Sequence, residues 1–573
     1  TKYLVKGENE IVASVSKWST ATYLECQDMF RENGIFRDVL LYEYENTYLY
    51  DFGVETVKNG DKYDLSVSFD SKGGLNRASI SAELFDGKKS LAKETADARA
   101  KSKITFSNLD VIEWNAEEPY TYELLITFVD GNGKKTYVKN ITGFKTIEIK
   151  GNVFYFNGMP IKFKGVNHHD TNMYNGYVLT GEEIKAELEL MKKFNINAIR
   201  TSHYPPDPTL LTLADLMGFY IIDEADIETH GAGDITVPYD NCLISDDPKW
   251  ANRYVDRVAR MYCRDRNHPS VTMWSLGNEA WGYYCQDKCY DYLKAQGTKI
   301  PVHYESVIHT KRFAYDVISE MYPTHENVAK YGAQVAKDKR YHKKPYFMCE
   351  YVHAMGVGPG GVEEYWQSIY AHDNLMGGCV WEWADHAVYH DGNDKYKFQY
   401  TYGGDHGEAK HDSNFCVDGM LYPDKTPHTG AYVIKAVYRP VRSKYVSGKV
   451  FEFTNTNRFK NTKYLNVVWT QLVNGVEVKT GTLNLDIDPM QTKTYEIDYD
   501  KFDSLEDCHI NIEYFDGEDQ VAIEQTTLND KASFTPYSVG AGHIATSVKD
   551  NILTVEFQNG KVVFDKKTGE MIN

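Results

Sequence analysis

Between about residues 148 and 440, eight short apolar runs alternate with stretches of helical periodicity, and this alternation leaves few folds open. The runs are 161–167, 198–200, 220–224, 271–276, 302–304, 317–321, 347–350 and 379–383. Apolar throughout rather than at every second residue, they suit strands buried on both faces of a parallel sheet. Helix signals separate them. Thr180 and Glu183 are spaced as a capping box ahead of Ile184, Leu188 and Met191. Asp207-Pro208 reads as an N-cap and first helical residue, with Gly218 as the stop. Trp250, Tyr254 and Val258 recur at helical spacing until Pro269 forbids continuation. Eight strands with helical crossovers imply a (β/α)8 barrel spanning 148–440, with its chemistry at the C-terminal strand tips.

The flanks change period. Within 46–147, Tyr122, Leu124, Ile126 and Phe128 alternate, and Asp86-Gly87 and Asp130-Gly131 supply turns. This predicts an immunoglobulin-like β-sandwich. Within 441–535, Leu465, Val467 and Trp469 alternate, with turns at Asn474-Gly475 and Asp516-Gly517, which predicts a second sandwich. Residues 1–45 read as strand-like ends around a polar loop, the tail of a larger β domain. Residues 536–573 read as the start of a further β domain cut short.

Composition excludes some functions. A net charge of −19 speaks against nucleic acid. No apolar run is long enough to cross a bilayer. The 9 Cys are scattered without a CxxC pair, which fits reduced thiols in a cytoplasmic bacterial protein. The 44 Tyr and 9 Trp suit sugar stacking and sandwich cores alike.

The predicted tips concentrate polar residues. They carry His168, His169 and Asp170; Ser202 and His203; Glu224, Asp226, Glu228 and His230; Asn278 and Glu279; Tyr322; Glu350 and His353; and Trp381, Glu382, Trp383 and Asp385. Gly277 lets the chain turn so that Glu279 either emerges at the mouth or caps the next helix. Glu279 and Glu350 stand on the fourth and seventh strands, opposite each other. Two carboxyls across a cleft suit glycoside hydrolysis: one protonates the leaving oxygen and the other, kept ionised, attacks the anomeric carbon. A separation of about 5–5.5 Å gives retention of configuration.

These stretches resemble glycoside hydrolase family 2, and within it the large bacterial β-galactosidases of lactose utilisation. The resemblance rests on Gly165-Val-Asn-His-His169-Asp, Arg200-Thr-Ser-His203-Tyr-Pro and Asp223-Glu-Ala-Asp-Ile-Glu228-Thr-His230-Gly. It continues through Asp265 to Glu279, Cys349-Glu350-Tyr-Val-His353-Ala-Met-Gly356, Gly377-Gly-Cys-Val-Trp381-Glu-Trp383, Tyr402-Gly-Gly-Asp405, Phe415-Cys-Val-Asp418-Gly and Thr426-Pro-His428. It implies a retaining enzyme that removes terminal β-D-galactose by double displacement. It also implies that residues 1–45 end a jelly-roll sugar-binding-like domain and that 536–573 begin a truncated C-terminal sandwich. The chain is then an internal portion that acts as a homo-oligomer or is complemented by the C-terminal domain.

The resemblance implies roles as well. Glu279 is the acid/base, Glu350 the nucleophile and Tyr322 the phenol bonded to it. Asn278, His169, His203, His353 and Trp381 bind the sugar, joined by Asp28 and Asp418. Glu228, His230 and Glu279 hold Mg²⁺ or Mn²⁺. Asp28, the Phe415 carbonyl and Asp418 hold Na⁺. A divalent ion on Glu279 favours its ionised form, against the acid role; the ion instead eases leaving-group departure or sets the carboxylate's position.

The chain departs from the family pattern at Val357-Gly358-Pro359, where Asn-Ser is common after the glycine, and at Asp418, where Asn is common. Other readings are a β-glucuronidase or β-mannosidase of the same family, or a non-catalytic sugar-binding fragment. A glucuronidase needs a cation for the sugar carboxylate, and no Lys among the tip motifs clearly supplies it.

Overall fold

A computed structural model describes residues 3–30, 32, 34–232, 244–305, 307–391, 399–529, 542–558 and 560–572. The chain forms two compact units. The larger takes in residues 1–469, 481–497 and 512–524, and the smaller 470–480, 498–511 and 525–573.

At the centre of the larger unit stand β1 (Phe163–Asn167), β2 (Ala198–Arg200), β3 (Tyr220–Glu224), β4 (Val271–Ser275), β5 (Val302–His303), β6 (Ile318–Met321), β7 (Tyr346–Tyr351) and β8 (Leu375–Val380). They form one 8-stranded sheet in the order β5-β4-β3-β2-β1-β8-β7-β6. Its adjacent strands pair in parallel. The two ends meet at Asp316. Its N–H donates to the Val302 carbonyl at 2.9 Å, and its carboxylate accepts from the Val302 N–H at 2.8 Å. This is the (β/α)8 barrel.

The helix signals act as expected. Thr180 and Glu183 complete a capping box on Gly181–Lys193. Asp207 accepts from the Thr209 N–H ahead of Pro208, and Gly218 closes Pro208–Met217 in the left-handed conformation. Helix Ala251–Asp265 buries Tyr254, Val258 and Met261.

One strand lies earlier than its sequence suggests. The eighth run was expected at 379–383, and β8 is Leu375–Val380. Gly377 and Gly378, ahead of the expected run, sit inside the strand. A Cβ on Gly377 would lie 2.4 Å from the Phe163 carbonyl oxygen, and one on Gly378 2.7 Å from that of Met348. Neighbouring backbones approach too closely there for any side chain.

Ahead of the barrel, two sheets oppose each other. Tyr48–Asn59, Lys62–Lys72 and Lys101–Leu109 form one; Lys89–Asp97, Ser79–Asp86, Tyr122–Val129 and Lys135–Thr142 form the other. Their inward residues, among them Leu65, Val67, Ile80, Leu124 and Ile126, make one buried core. After the barrel, Val441–Ser447, Val450–Asn455 and Thr492–Glu496 form an antiparallel sheet. The smaller unit contains the antiparallel sheet Ala545–Lys549, Ile552–Phe557 and Gly560–Asp565. The boundary expected at 535/536 lies outside the described residues.

The strand-like ends expected within 1–45 do not form strands among the described residues; the first strand begins at Tyr48. Residues 24–28 instead lie along the barrel rim. The Glu228 N–H donates to the Leu24 carbonyl at 2.7 Å, and the Cys26 N–H to the Glu228 carbonyl at 3.1 Å. With its donors and acceptors taken by the barrel, this segment has no need of a sheet of its own.

Asp215 anchors the start of β4. It accepts from the Ser270 N–H at 2.9 Å and pairs with His268 Nδ1 at 2.6 Å. Burial opposes charge on His268, but the hydrogen bond and the negative charge of Asp215 outweigh it and raise the imidazole pKa above 6.5. The protonated form is therefore favoured in the fold. Its stabilisation is fully present below about pH 6.5 and fades as pH rises through the folded value. Thermal melts of His268→Gln should show a weaker decline from neutral pH upward than the parent. A parallel decline would remove His268 as its source.

Candidate active site

The strand ends aim a polar network inward, and Arg200 at the end of β2 is its hub. The side chain is 0% exposed. Its Nε and one terminal nitrogen grip Glu224 at 2.8 and 3.0 Å. The other terminal nitrogen donates to Asn167 and to Glu350 Oε1, both at 2.9 Å. The remaining donor reaches Asn278 Oδ1, also at 2.9 Å. All five donors of the guanidinium are engaged. The expected site residues did not include it, because an arginine inside an apolar run carries no signal of its own.

Glu350 is the last residue but one of β7 and is buried. Arg200 holds Oε1, and the Tyr322 hydroxyl donates to Oε2 at 2.9 Å. The Tyr322 N–H also donates to the Glu350 carbonyl at 2.9 Å. Burial raises the pKa of Glu350, Arg200 and His203 pull it back, and the charge of Glu279 pushes it up again. Burial and the Glu350 charge raise the phenol of Tyr322 in turn.

Glu279 lies past the tip of β4. It is not a helix cap: the next helix, Tyr284–Ala295, has Tyr283 at its N-cap. Its Oε2 lies 2.7 Å from His230 Nδ1, and the side chain is 27% exposed at the mouth. Glu279 and Tyr322 take positive φ, 27° and 47°. Non-glycine residues rarely adopt such values, and they concentrate at functional sites. Gly277 makes the turn possible, with φ +113° and the Ile227 carbonyl oxygen 2.5 Å from where a Cβ would stand. Gly277→Ala should therefore destabilise the barrel by about 1–3 kcal/mol, read as a lower melting temperature. A melt matching the parent would show that the turn is not strained.

His203 pairs through Nδ1 with Glu224 Oε1 at 2.7 Å and stacks on Trp381, centroids 5.1 Å apart at 9°. Burial raises the Glu224 carboxyl, but Arg200 and His203 override it and bring it down to about 2. Asn278 Nδ2 lies 3.2 Å from His203 Nε2 and 3.3 Å from Glu228 Oε2. His353 lies 3.6 Å from Asp418 Oδ2, its ring near Tyr322 and Phe415. Trp381 donates to the same Asp418 oxygen at 2.9 Å. His169 stands behind this wall, fully buried against the rings of His203, Tyr204 and Trp381. In this arrangement it offers the cleft no open surface.

Two groups of expected metal ligands can be compared with the geometry. Glu228, His230 and Glu279 each offer a ligand atom within 4.8 Å of the others. Burial, Glu279 and Asp28 raise the Glu228 carboxyl well above its usual range, so an oxygen-binding divalent cation fits there. Of the sodium set, Asp28 is raised by burial and by Glu279, and Asp418 is pushed up to about 10 by burial and Glu382. Asp418 Oδ1 is buried without a hydrogen-bond partner. Asp28 lies on the Glu279–His230 side and Asp418 on the Trp381–His353 side. Phe415 is 46% exposed.

Asp28 reaches the mouth because the rim segment is tied down. Gln27 donates to Asp226 at 2.8 Å and to the His203 carbonyl at 3.4 Å. Arg257 binds Asp226 at 2.7 Å and also pairs with Glu25.

Comparison with known proteins agrees with this architecture. The model for the glycosyl hydrolases family 2 TIM barrel domain matches residues 147–443. The family 2 sugar binding domain matches 1–45, and β-galactosidase domain 4 matches 451–527. A β-galactosidase of Actinobacillus pleuropneumoniae is 34% identical over 87% of this chain and 51% of its own length. One of Priestia megaterium is 33% identical over 100% of this chain and 58% of its own. The chain thus spans about half the length of these relatives. Among solved structures, a β-D-glucuronidase of Dictyoglomus thermophilum aligns with TM-score 0.56 and 21% identity over 72% of each chain. A family 2 β-galacturonidase of Eisenbergiella tayi, bound to galacturonate, aligns with TM-score 0.58 and 19% identity over 74% of this chain and 78% of its own. These two likenesses concern the fold. On the barrel match, which covers more than half of its residues, the chain belongs to glycosyl hydrolase family 2.

Proposed function

We propose that this chain carries the catalytic centre of a retaining β-galactosidase that acts by double displacement. The observation that carries this reading is the contrast between two carboxyl groups at opposite tips. Glu350 is buried and gripped on both oxygens by Arg200 and Tyr322. Glu279 is part-exposed at the mouth, on His230. A nucleophile needs a fixed, ionised carboxylate; an acid/base needs access to the leaving group and to water.

In the first step, Glu350 attacks the anomeric carbon while Glu279 gives its proton to the departing oxygen. In the second, Glu279 takes a proton from water, which displaces Glu350. Acid/base assistance is worth about 10²–10⁴ in rate. Tyr322 and Arg200 keep the Glu350 oxygens in place through both steps. Asn278, its amide oriented by Arg200, is the proposed partner of the sugar 2-hydroxyl. His203, His353, Trp381 and Asp418 form the proposed sugar wall, with Asp28 at the rim. Glu228, His230 and Glu279 are the proposed ligands of Mg²⁺ or Mn²⁺, which supplies positive charge beside the acid/base. Asp28, the Phe415 carbonyl and Asp418 are the proposed ligands of Na⁺.

Galactose is preferred over a uronic acid because Arg200, the guanidinium against the nucleophile, has no donor left for a second carboxylate. The named activities of the sequence relatives point the same way. The test is a panel of aryl β-glycosides with NMR detection of the first-formed sugar. The reading expects the galactoside to be cleaved with the β-anomer appearing first. An α-anomer, or a preference for the glucuronide, overturns it. Adding Mg²⁺ to metal-stripped protein should raise kcat, and His230→Ala should abolish that response. An unchanged response would move the ion elsewhere.

A further inference from the structure

Behind the stacked His203–Trp381 pair lies a cluster that the hydrolysis scheme leaves idle. His169, Glu382 and His386 each offer one ligand atom, and these atoms lie within 4.8 Å of one another. All three side chains are buried to within 1%. His169 Nδ1 is 2.7 Å from Glu382 Oε2, and His386 Nε2 is 3.4 Å from the same oxygen. The two imidazole centroids are 4.7 Å apart.

The hydrogen bonding around this point is poor. One carboxylate oxygen makes a short bond to His169 and leaves His386 at long range. Both ring nitrogens of His386, Nε2 of His169 and Oε1 of Glu382 have no hydrogen-bond partner. Buried polar atoms are almost always paired, so four orphans in one neighbourhood point to a ligand. The charge is also lopsided. Glu382 and Asp418 interact in the dry interior. Among the described residues, neither forms an ion pair with a Lys or Arg.

We propose that His169, Glu382 and His386 bind a divalent transition-metal ion of the Zn²⁺ type. Two imidazoles with one carboxylate form a borderline donor set, which suits zinc and its neighbours rather than magnesium. The cluster at the mouth has one imidazole and two carboxylates, the opposite preference. One barrel end thus carries two metal sites of different chemistry. The ion takes the place of the proton on His169 Nδ1, so the proton stays on Nε2. On the glycosidase reading, it braces the His203–Trp381 wall from behind.

The test uses the whole chain with Glu228→Gln and His230→Gln, so that the mouth site is disabled. The protein is stripped of metal, equilibrated with Zn²⁺ and assayed by elemental analysis. It should retain one zinc per chain, and His386→Gln added to this background should retain none. Zinc-edge X-ray absorption on the double variant should find two imidazole ligands, which keeps the test valid even if the His386 variant fails to fold. No retained zinc, fewer than two imidazoles, or zinc kept after His386→Gln overturns the proposal. No activity is read, so failure here leaves the hydrolase reading standing, and failure of that reading leaves this site standing.

Discussion

Glu350→Gln should lower kcat on an activated aryl β-galactoside by at least about 10³-fold, as removal of a covalent nucleophile does, while circular dichroism stays that of the parent. The amide has the size of the carboxylate; its oxygen can still accept from Arg200, and its NH2 can donate to the Tyr322 hydroxyl oxygen. Arg200 keeps its paired grip on Glu224 at 2.8 and 3.0 Å, so its charge is not abandoned. Chemistry is lost because a neutral amide cannot form the glycosyl ester. A variant that turns over at the parental rate would remove Glu350 from the mechanism. A variant that unfolds would show that its charge is part of the fold.

Arg200→Met should have the largest effect on stability. The side chain is 0% exposed and faces Glu224 and Glu350, both buried. Its removal strands two carboxylates in the interior, and breaking a buried pair costs about 3–5 kcal/mol. Much of that comes from the uncompensated charge rather than the lost contact. Adding Glu224→Gln to Arg200→Met should therefore restore part of the melting temperature. If Arg200→Met melts with the parent, or the second change brings no recovery, the network is not held by charge.

The barrel was legible because its signals are local. Capping residues, a stop glycine and unbroken apolar runs act over a few positions and are strong there. Glu279 and Glu350 could be singled out because each follows such a run. Signals failed where long-range packing decides. The eighth run was expected at 379–383, yet the close backbones of β1 and β7 place Gly377 and Gly378 inside β8. The strand-like ends expected within 1–45 form no strand among the described residues, and the barrel rim takes hydrogen bonds from residues 24–28. Arg200 looked like the end of an apolar run until its partners, drawn from β1, β3, β7 and the loop after β4, came together in space. His169, expected among the sugar-binding residues, is buried against His203, Tyr204 and Trp381.

The reading depends most on the covalent step. Incubation with a 2-fluoro β-galactoside bearing a good leaving group slows the second displacement and lets the adduct accumulate. Intact mass should rise by one fluorogalactosyl group, and peptide mapping should place it on Glu350. An unmodified protein that still hydrolyses galactosides, or a label on Glu279, would contradict the account.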